Sequence, residues 1–339
     1  MNKRFGAIAT LLAAVAAAAG LLASTSSGAA KTQRTIGLVV LGTSGSSMAP
    51  YFESGGQAAA AALGDQLAVK EAPDAPTQAG AIDSLIAQHV AAIAVDNEQS
   101  DPGVKQALAQ AREAGIPTLS FENRYAGSVW VNPSSPAQHA RAFADALASQ
   151  MQQRGQYVIV PCRPANPIVG TELALIKAYV QHRYPRMHRV GVVYGADGNG
   201  PAGSLLLRPL LRKYPHLRGL IFLCQDEAYN GPPQLIHLHM AGKVFSSGDA
   251  SSYAPPVVEP WRTSVRLGVE ELVIPGDPAK LGYLTVWAAD HLAGGQTLAP
   301  GTYDVGGPVG TVHYFSQNEE LRLGQPLTIT QANLSQYTG

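Results

Sequence analysis

Residues 79–124 read AGAIDSLIAQHVAAIAVDNEQSDPGVKQALAQAREAGIPTLSFENR, and their periodicity decides the fold class. Ile82, Leu85, Ile86 and His89 recur at helical spacing, and Val90 to Val95 is then a bare apolar run. After Asp96-Asn97-Glu98 the helical period returns in Val104, Leu108 and Ala111. It closes at Ala114-Gly115, where glycine suits a helix C-cap. Ile116 to Phe121 is a second apolar run, ended by Glu122-Asn123-Arg124. Short apolar runs between amphipathic helices predict strands buried on both faces, hence a parallel sheet. In open α/β sheets ligands sit beyond the carboxyl ends of the strands, so the polar strand ends here mark a site edge.

Working outward, Thr35 to Leu41 reads as the first strand and Leu67 to Glu71 as the second. Between them a Gly/Ser-rich loop, Gly42 to Pro50, leads through Tyr51-Phe52 into an Ala-rich helix, Gly56 to Leu63. The two rings either offer stacking faces to a ligand or pack the helix start into the core. Val129 to Pro133 forms a first crossover, and Ser134-Ser135-Pro136 opens a helix over Ala137 to Gln153. The alternation then restarts. Strands are expected over 157–161, 189–194, 219–223, 243–246 and 270–274, with helices over about 170–183, 203–214, 232–240 and 256–267. The expected fold is α/β, with two doubly wound parallel-sheet lobes joined by a multi-strand hinge.

The chain has 339 residues, enough for two ordinary domains, and balances 24 basic against 24 acidic residues. No net field favours nucleic acid. Residues 1–30 have the pattern of a signal peptide: Lys3 and Arg4, an apolar run from Ala7 to Ala23, and the small residues Gly28-Ala29-Ala30. That run is short and Ala-rich, so cleavage is expected over anchoring, with no cysteine near the cleavage point for a lipid anchor. A freely soluble, exported product is expected, with a mature start near Lys31.

The stretch "HVAAIAVDN", a helix, then "AREAGIPTLSFENR" resembles the first lobe of type I periplasmic solute-binding proteins. A second segment is similar to the rhamnose-type and autoinducer-2-type members of that family: Gly276-Asp277-Pro278, then Leu281-Gly282-Tyr283-Leu284, and Val286 to Leu292. The tail, Gly324-Gln325-Pro326 through Asn333-Leu334 to Tyr337, agrees. The resemblance implies a receptor of an ABC sugar importer, doing no chemistry, binding a small sugar, deoxysugar or autoinducer-2-like ligand, and docking on an inner-membrane permease. A sensory receptor of the same fold and an exported enzyme are the competing readings. The resemblance places the lobes at 31–127 plus 276–295 and 128–275 plus 296–339. Carried over residue by residue, the autoinducer binders' lysine falls at Leu41, their aspartate at Glu122, and their Asp-Gln pair near Ile168-Val169. The ribose binders' Asp-Arg meets Glu122-Asn123-Arg124, and their Asn-Asp-Glu region meets Gln225-Asp226-Glu227.

The candidate ligand residues are therefore Tyr51, Phe52, Asp96, Asn97, Glu122 and Arg124 from the first lobe. Arg163, Asn166, Gln225, Asp226 and Asp249 come from the second, and Asp277 from the hinge, where it could equally cap a helix before Pro278. Carboxylates accept from hydroxyls, amides donate and accept, and Arg donates in a fixed fork, so the set suits a polyhydroxylated ring. Trp130 and Tyr253 add apolar ring faces.

Other signals weigh less. Gly198 to Gly203 matches G-x-G-x-x-G, but it does not turn directly off a strand and is not in the first βα unit of its sheet, so no dinucleotide is expected. His237 and His239 would diverge by about 200° on a helix, so no metal is expected, and no other cofactor either. No hydrolase nucleophile motif is present. Cys162 and Cys224 fall at the same end of strands expected to be neighbours, which allows either a disulfide or two buried thiols.

Overall fold

The computed structural model describes residues 32–41, 49–97, 101–122, 124–161, 167–195, 207–250, 259 and 261–337. The chain begins with β1 (Thr35–Leu41), α1 (Ala49–Leu63), β2 (Gln66–Ala72), α2 (Ala75–Ala87), β3 (Ala92–Asn97), α3 (Pro102–Glu113), β4 (Thr118–Glu122) and β5 (Val129–Asn132). It continues with α4 (Pro136–Gln150), β6 (Gly155–Val160), α5 (Pro167–Arg183), β7 (Met187–Val192), α6 (Leu207–Lys213), β8 (Leu217–Phe222) and α7 (Gln225–His237). Then come β9 (Phe245–Asp249), α8 (Trp261–Arg266), β10 (Glu270–Ile274) and α9 (Pro278–Ala293). The chain closes with β11 (Gly301–Gly306), β12 (Gly310–Phe315), β13 (Glu320–Arg322) and β14 (Leu327–Ile329).

These form two sheets, ordered β11-β12-β13-β5-β4-β3-β1-β2 and β14-β10-β9-β8-β6-β7. The strands from β1 to β5 pair in parallel, as do those from β6 to β10. Each is a doubly wound sheet covered on both faces. In β1, Ile36, Leu38 and Val40 face a core shared with α1 and α9, while Val39 faces the core of α2 and α3. In β6, Val158 and Val160 point to one core of the second sheet, and Tyr157 and Ile159 to the other. Fully burying one such aliphatic side chain stabilises the fold by about 1.5–3 kcal/mol.

Helix starts are written into the chain. Asp101-Pro102, Ser135-Pro136 and Asp277-Pro278 each place a capping side chain before a proline whose missing N–H costs the first turn nothing. Ser135 and Gln138 complete a reciprocal capping box.

The structure corrects the expected assignment of residues to sheets. Residues 128–132 and most of 296–322, expected with the second lobe, belong to the first sheet. There β5 pairs with β4, β13 lies parallel to β5, and β12 and β11 follow antiparallel. Of the tail, only β14 joins the second sheet, antiparallel to β10. Among the described residues no helix is long and apolar enough to cross a membrane.

Candidate functional site

Three segments cross between the sheets. One follows β5, one follows β10, and one joins β13 to β14. The first two leave at the carboxyl ends of their strands. Because β13 is parallel to β5, the third also leaves at a carboxyl end, and it enters β14 where Leu327 pairs with Ile274, the last residue of β10. All three therefore join carboxyl edge to carboxyl edge, so the ligand-binding edges of both sheets meet at one hinge.

The hinge is knitted by backbone and by a buried network. Leu323 N–H donates to the Asn132 carbonyl at 2.8 Å and Gly324 N–H to the Pro133 carbonyl at 3.1 Å. A Cβ on Gly276 would stand 2.9 Å from that of Pro133, so the second crossing segment needs glycine for its close approach to the first. Glu320, 2 % exposed, accepts from Asn132 Nδ2 at 2.8 Å, from Arg322 Nε at 2.6 Å and from Arg322 Nη2 at 2.9 Å. The Arg322 guanidinium also lies 4.3 Å from the centre of the Phe315 ring.

In the first lobe Asp96-Asn97 and Glu122 do end adjacent strands, with Asn97 opposite Glu122 in the register. The Asp96 carbonyl accepts from Gln78 Nε2 at 2.7 Å, which ties that strand end to α2. Phe52 takes the packing alternative. It is 1 % exposed and meets Phe121 edge-on, ring centres 5.1 Å apart. Its helix begins at Ala49, earlier than expected, which turns Phe52 inward. Tyr51 stays half-buried, and that burial raises its phenol pKa. Arg124 is exposed and pairs with Glu319 at 3.6 Å, on the corner before β13.

In the second lobe Gln225 and Asp226 fall in the first turn of α7, where a carboxylate suits the helix dipole. The sequence places the start of this helix at Pro232, whereas α7 carries Pro232 and Pro233 inside it. Proline at 232 cannot donate to the Ala228 carbonyl, and the indole Nε1 of buried Trp261 donates to that carbonyl instead, at 2.9 Å. The helix survives its prolines because tertiary structure supplies the missing donor. Asp249 closes β9. Asp277 caps α9, accepting from Ala279 N at 2.9 Å and Lys280 N at 3.2 Å. Arg163 and Asn166 lie outside the described residues, as do Trp130's expected companion Tyr253 and the glycine-rich run 198–203.

Sequence reasoning missed His139. It sits buried in the first turn of α4, with Nδ1 2.6 Å from Glu172 Oε1 on α5. Burial pulls its pKa down. The hydrogen bond and charge of Glu172, helped by the charge of Asp249, outweigh this and leave it above the ordinary value. The partners are separated by 33 residues, and no local pattern announces the pair.

Strands β6 and β8 are neighbours, with Val160 opposite Phe222, as the reading of the two cysteines requires. Cys224 is buried at the N-cap of α7, and Cys162 lies outside the described residues. Among the described residues no group of three or more His, Cys, Asp or Glu side chains is placed to hold a metal. His237 ends α7 and His239 follows in left-handed backbone, φ 59°.

Two doubly wound lobes hinged at their carboxyl edges define the type I periplasmic binding fold. The periplasmic binding protein domain family matches residues 36–297, and the chain belongs to that family. Solved structures agree on the fold. A sugar ABC transporter protein from Actinomyces odontolyticus is 20 % identical over 90 % of this chain and 97 % of its own, with a TM-score of 0.77. An ABC transporter solute-binding protein from Clostridium phytofermentas with bound L-rhamnose is 19 % identical over 91 % and 98 %, at 0.66. An arabinose-binding protein from Geobacillus stearothermophilus is 17 % identical over 91 % and 100 %, at 0.70. No curated protein matches the sequence.

Proposed function

We propose that the chain is an exported receptor that captures a small, neutral, polyhydroxylated ligand between its lobes and delivers it to an ABC importer. The ligand class is a sugar, deoxysugar or autoinducer-2-like molecule. The observation that carries the reading is the meeting of both carboxyl edges at one three-stranded hinge. A ligand bridging the edges favours the closed arrangement by its extra contacts there, and no bond need be made or broken. Kinship with sugar-binding proteins supports the substrate class.

The candidate carboxylates support neutrality. Asp96, Glu122, Asp226, Asp249 and Asp277 outnumber Arg124 and Arg163, and Arg124 already pairs with Glu319. Setting an anion against this excess of carboxylates costs affinity through repulsion and desolvation. In this reading residues 1–30 direct export to the periplasm and the product is a monomer, while Cys224, a free buried thiol in the structure, either bonds Cys162 after export or stays a thiol. Thiol titration under denaturing, non-reducing conditions tests the bond, and two free thiols would remove it.

A thermal-shift screen over monosaccharides, deoxysugars, polyols, sugar acids and autoinducer-2 tests the ligand. A true ligand at 100 times its Kd should add about 2.7 kcal/mol of stability. Glu122→Gln should then weaken that ligand by about 1–3 kcal/mol in calorimetry while the fold stays intact. Preference for a sugar acid would overturn the charge argument, and unchanged affinity would remove Glu122 from the site.

A further inference from the structure

The charge balance of the whole chain hides a segregated face. Between residues 207 and 248 the sequence carries Arg208, Arg212, Lys213, Arg218 and Lys243, with His216, His237 and His239, against Asp226 and Glu227 alone. Those two acids sit in the first turn of α7, whereas His237 ends that helix. Arg208, Arg212, Lys213, His216, His237, His239 and Lys243 are all exposed. Among the described residues none of them pairs with a carboxylate; Lys213 lies over the Tyr214 ring at 5.1 Å, and Lys243 donates to the His239 carbonyl at 3.2 Å.

Within this face α6 and α7 border an open groove of about 460 Å³. Pro209, Pro233 and Leu238 give it apolar walls, and Arg208, Arg212 and His237 stand around them. The turns after α6 and α7 lead into the amino ends of β8 and β9, so the face lies at the end of the sheet opposite the carboxyl edge where the candidate ligand residues gather. A solute in the cleft has no access to it.

We propose that this face docks on an anionic phospholipid surface, with one lipid's phosphate held by Arg208 and Arg212 and its glycerol and upper acyl chain in the apolar groove. This rests on the reading of the chain as a receptor working beside a membrane. Arg208, Arg212 and Lys213 on α6 and Lys243 after α7 exceed what one small anion can engage, whereas a plane of headgroups can engage several of them at once. A protein partner fits less well. Interface cores are built on large apolar and aromatic side chains with lysine depleted, and the two large apolar side chains exposed among the described residues, Tyr194 and Leu267, are on neither α6 nor α7.

The test is sedimentation of the chain recovered after export with phosphatidylcholine vesicles, with and without phosphatidylglycerol. Binding is expected only to the anionic vesicles, and it should fade as salt shortens the Debye length from about 10 Å at 0.1 M to about 3 Å at 1 M. Arg208→Gln/Arg212→Gln should weaken it about 30-fold. The same variant should keep the thermal shift given by whichever solute the screen identifies, so failure of vesicle binding and failure of the receptor reading are separate results. Equal binding to both vesicle types, no binding, or an unaffected double variant would overturn the proposal. So would binding of inorganic phosphate or soluble short-chain phosphatidylglycerol without vesicle binding, which would mark a free-anion site. Tighter binding of polyglutamate than of anionic vesicles would reassign the face to an acidic protein.

Discussion

In the first lobe α1 and α9 meet backbone to backbone, whereas the second lobe buries a carboxyl group that no described residue hydrogen-bonds. A Cβ on Gly55 would come within 2.7 Å of the Ala279 carbonyl carbon, and one on Gly282 within 2.8 Å of the Phe52 carbonyl carbon. Several buried polar groups of this lobe are paired: the Thr118 and Ser128 hydroxyls at 2.7 Å, and Ser120 Oγ accepting from Tyr125 N at 3.1 Å. In the second lobe Glu270 is 1 % exposed, and neither carboxyl oxygen has a hydrogen-bond partner among the described residues. Burial pushes its pKa well above the ordinary range, and burial raises neighbouring Glu271 to about 7. Glu53 of the first lobe is raised too, by burial and then by the charge of Glu71, and its Oε1 also lacks a hydrogen-bond partner among the described residues, but the residue as a whole is half-buried where Glu270 is enclosed. Close backbone contact marks the first lobe, while the second encloses the most deeply buried carboxyl.

The hinge, where the two regimes meet, should give the largest effect. Arg322→Met leaves Glu320 buried without its bidentate partner, and should cost about 3–5 kcal/mol in urea denaturation. Adding Glu320→Gln should recover much of that loss; a single variant near wild-type stability would show that the network does not hold the hinge. Next comes the close helix contact. Gly282→Ala drives a methyl into the Phe52 backbone, which cannot swing aside as a side chain would, and should cost about 1–3 kcal/mol. A neutral result would mean that α1 and α9 slide freely, and the contrast between the lobes would fail.

The smallest effect should separate the lobes by pH. Glu270 and Glu271 have folded pKa values raised above their unfolded ones, so their contribution is fully present below the unfolded value and lost as pH rises through the folded one. For Glu271 that window runs from 4.5 to about 7. His139 is also raised, so its contribution is lost as pH rises from 6.5 through its folded value. All three have the same sign. Denaturation midpoints should therefore fall between about pH 5 and about pH 8, and Glu271→Gln should flatten that slope. A slope unchanged in Glu271→Gln would remove this carboxyl from the account.

The strands buried on both faces were the most legible from sequence, for a physical reason. Strands buried on both faces must be apolar throughout, so β1 appears in the sequence over the same residues, Thr35 to Leu41, that the structure assigns to it. The hairpin β11–β12 escaped, because one face is open and its burial alternates along short, glycine-bounded strands. The beginning of α7 escaped because two prolines argue locally against a helix, and the donor that satisfies the Ala228 carbonyl comes from Trp261, 33 residues away.

By itself the sequence determined the two α/β units, the neighbouring places of β6 and β8, the capped helix starts, and the polar strand ends at Asp96-Asn97 and Glu122. Those follow from period, propensity and capping chemistry, which act between residues a few positions apart. Only the tertiary structure decided that Phe52 packs inward on Phe121, that β5 and β13 belong to the first sheet, that Arg124 turns to Glu319, and that His139 meets Glu172. Each of these depends on contacts between segments distant in the chain, whose energies no local window contains.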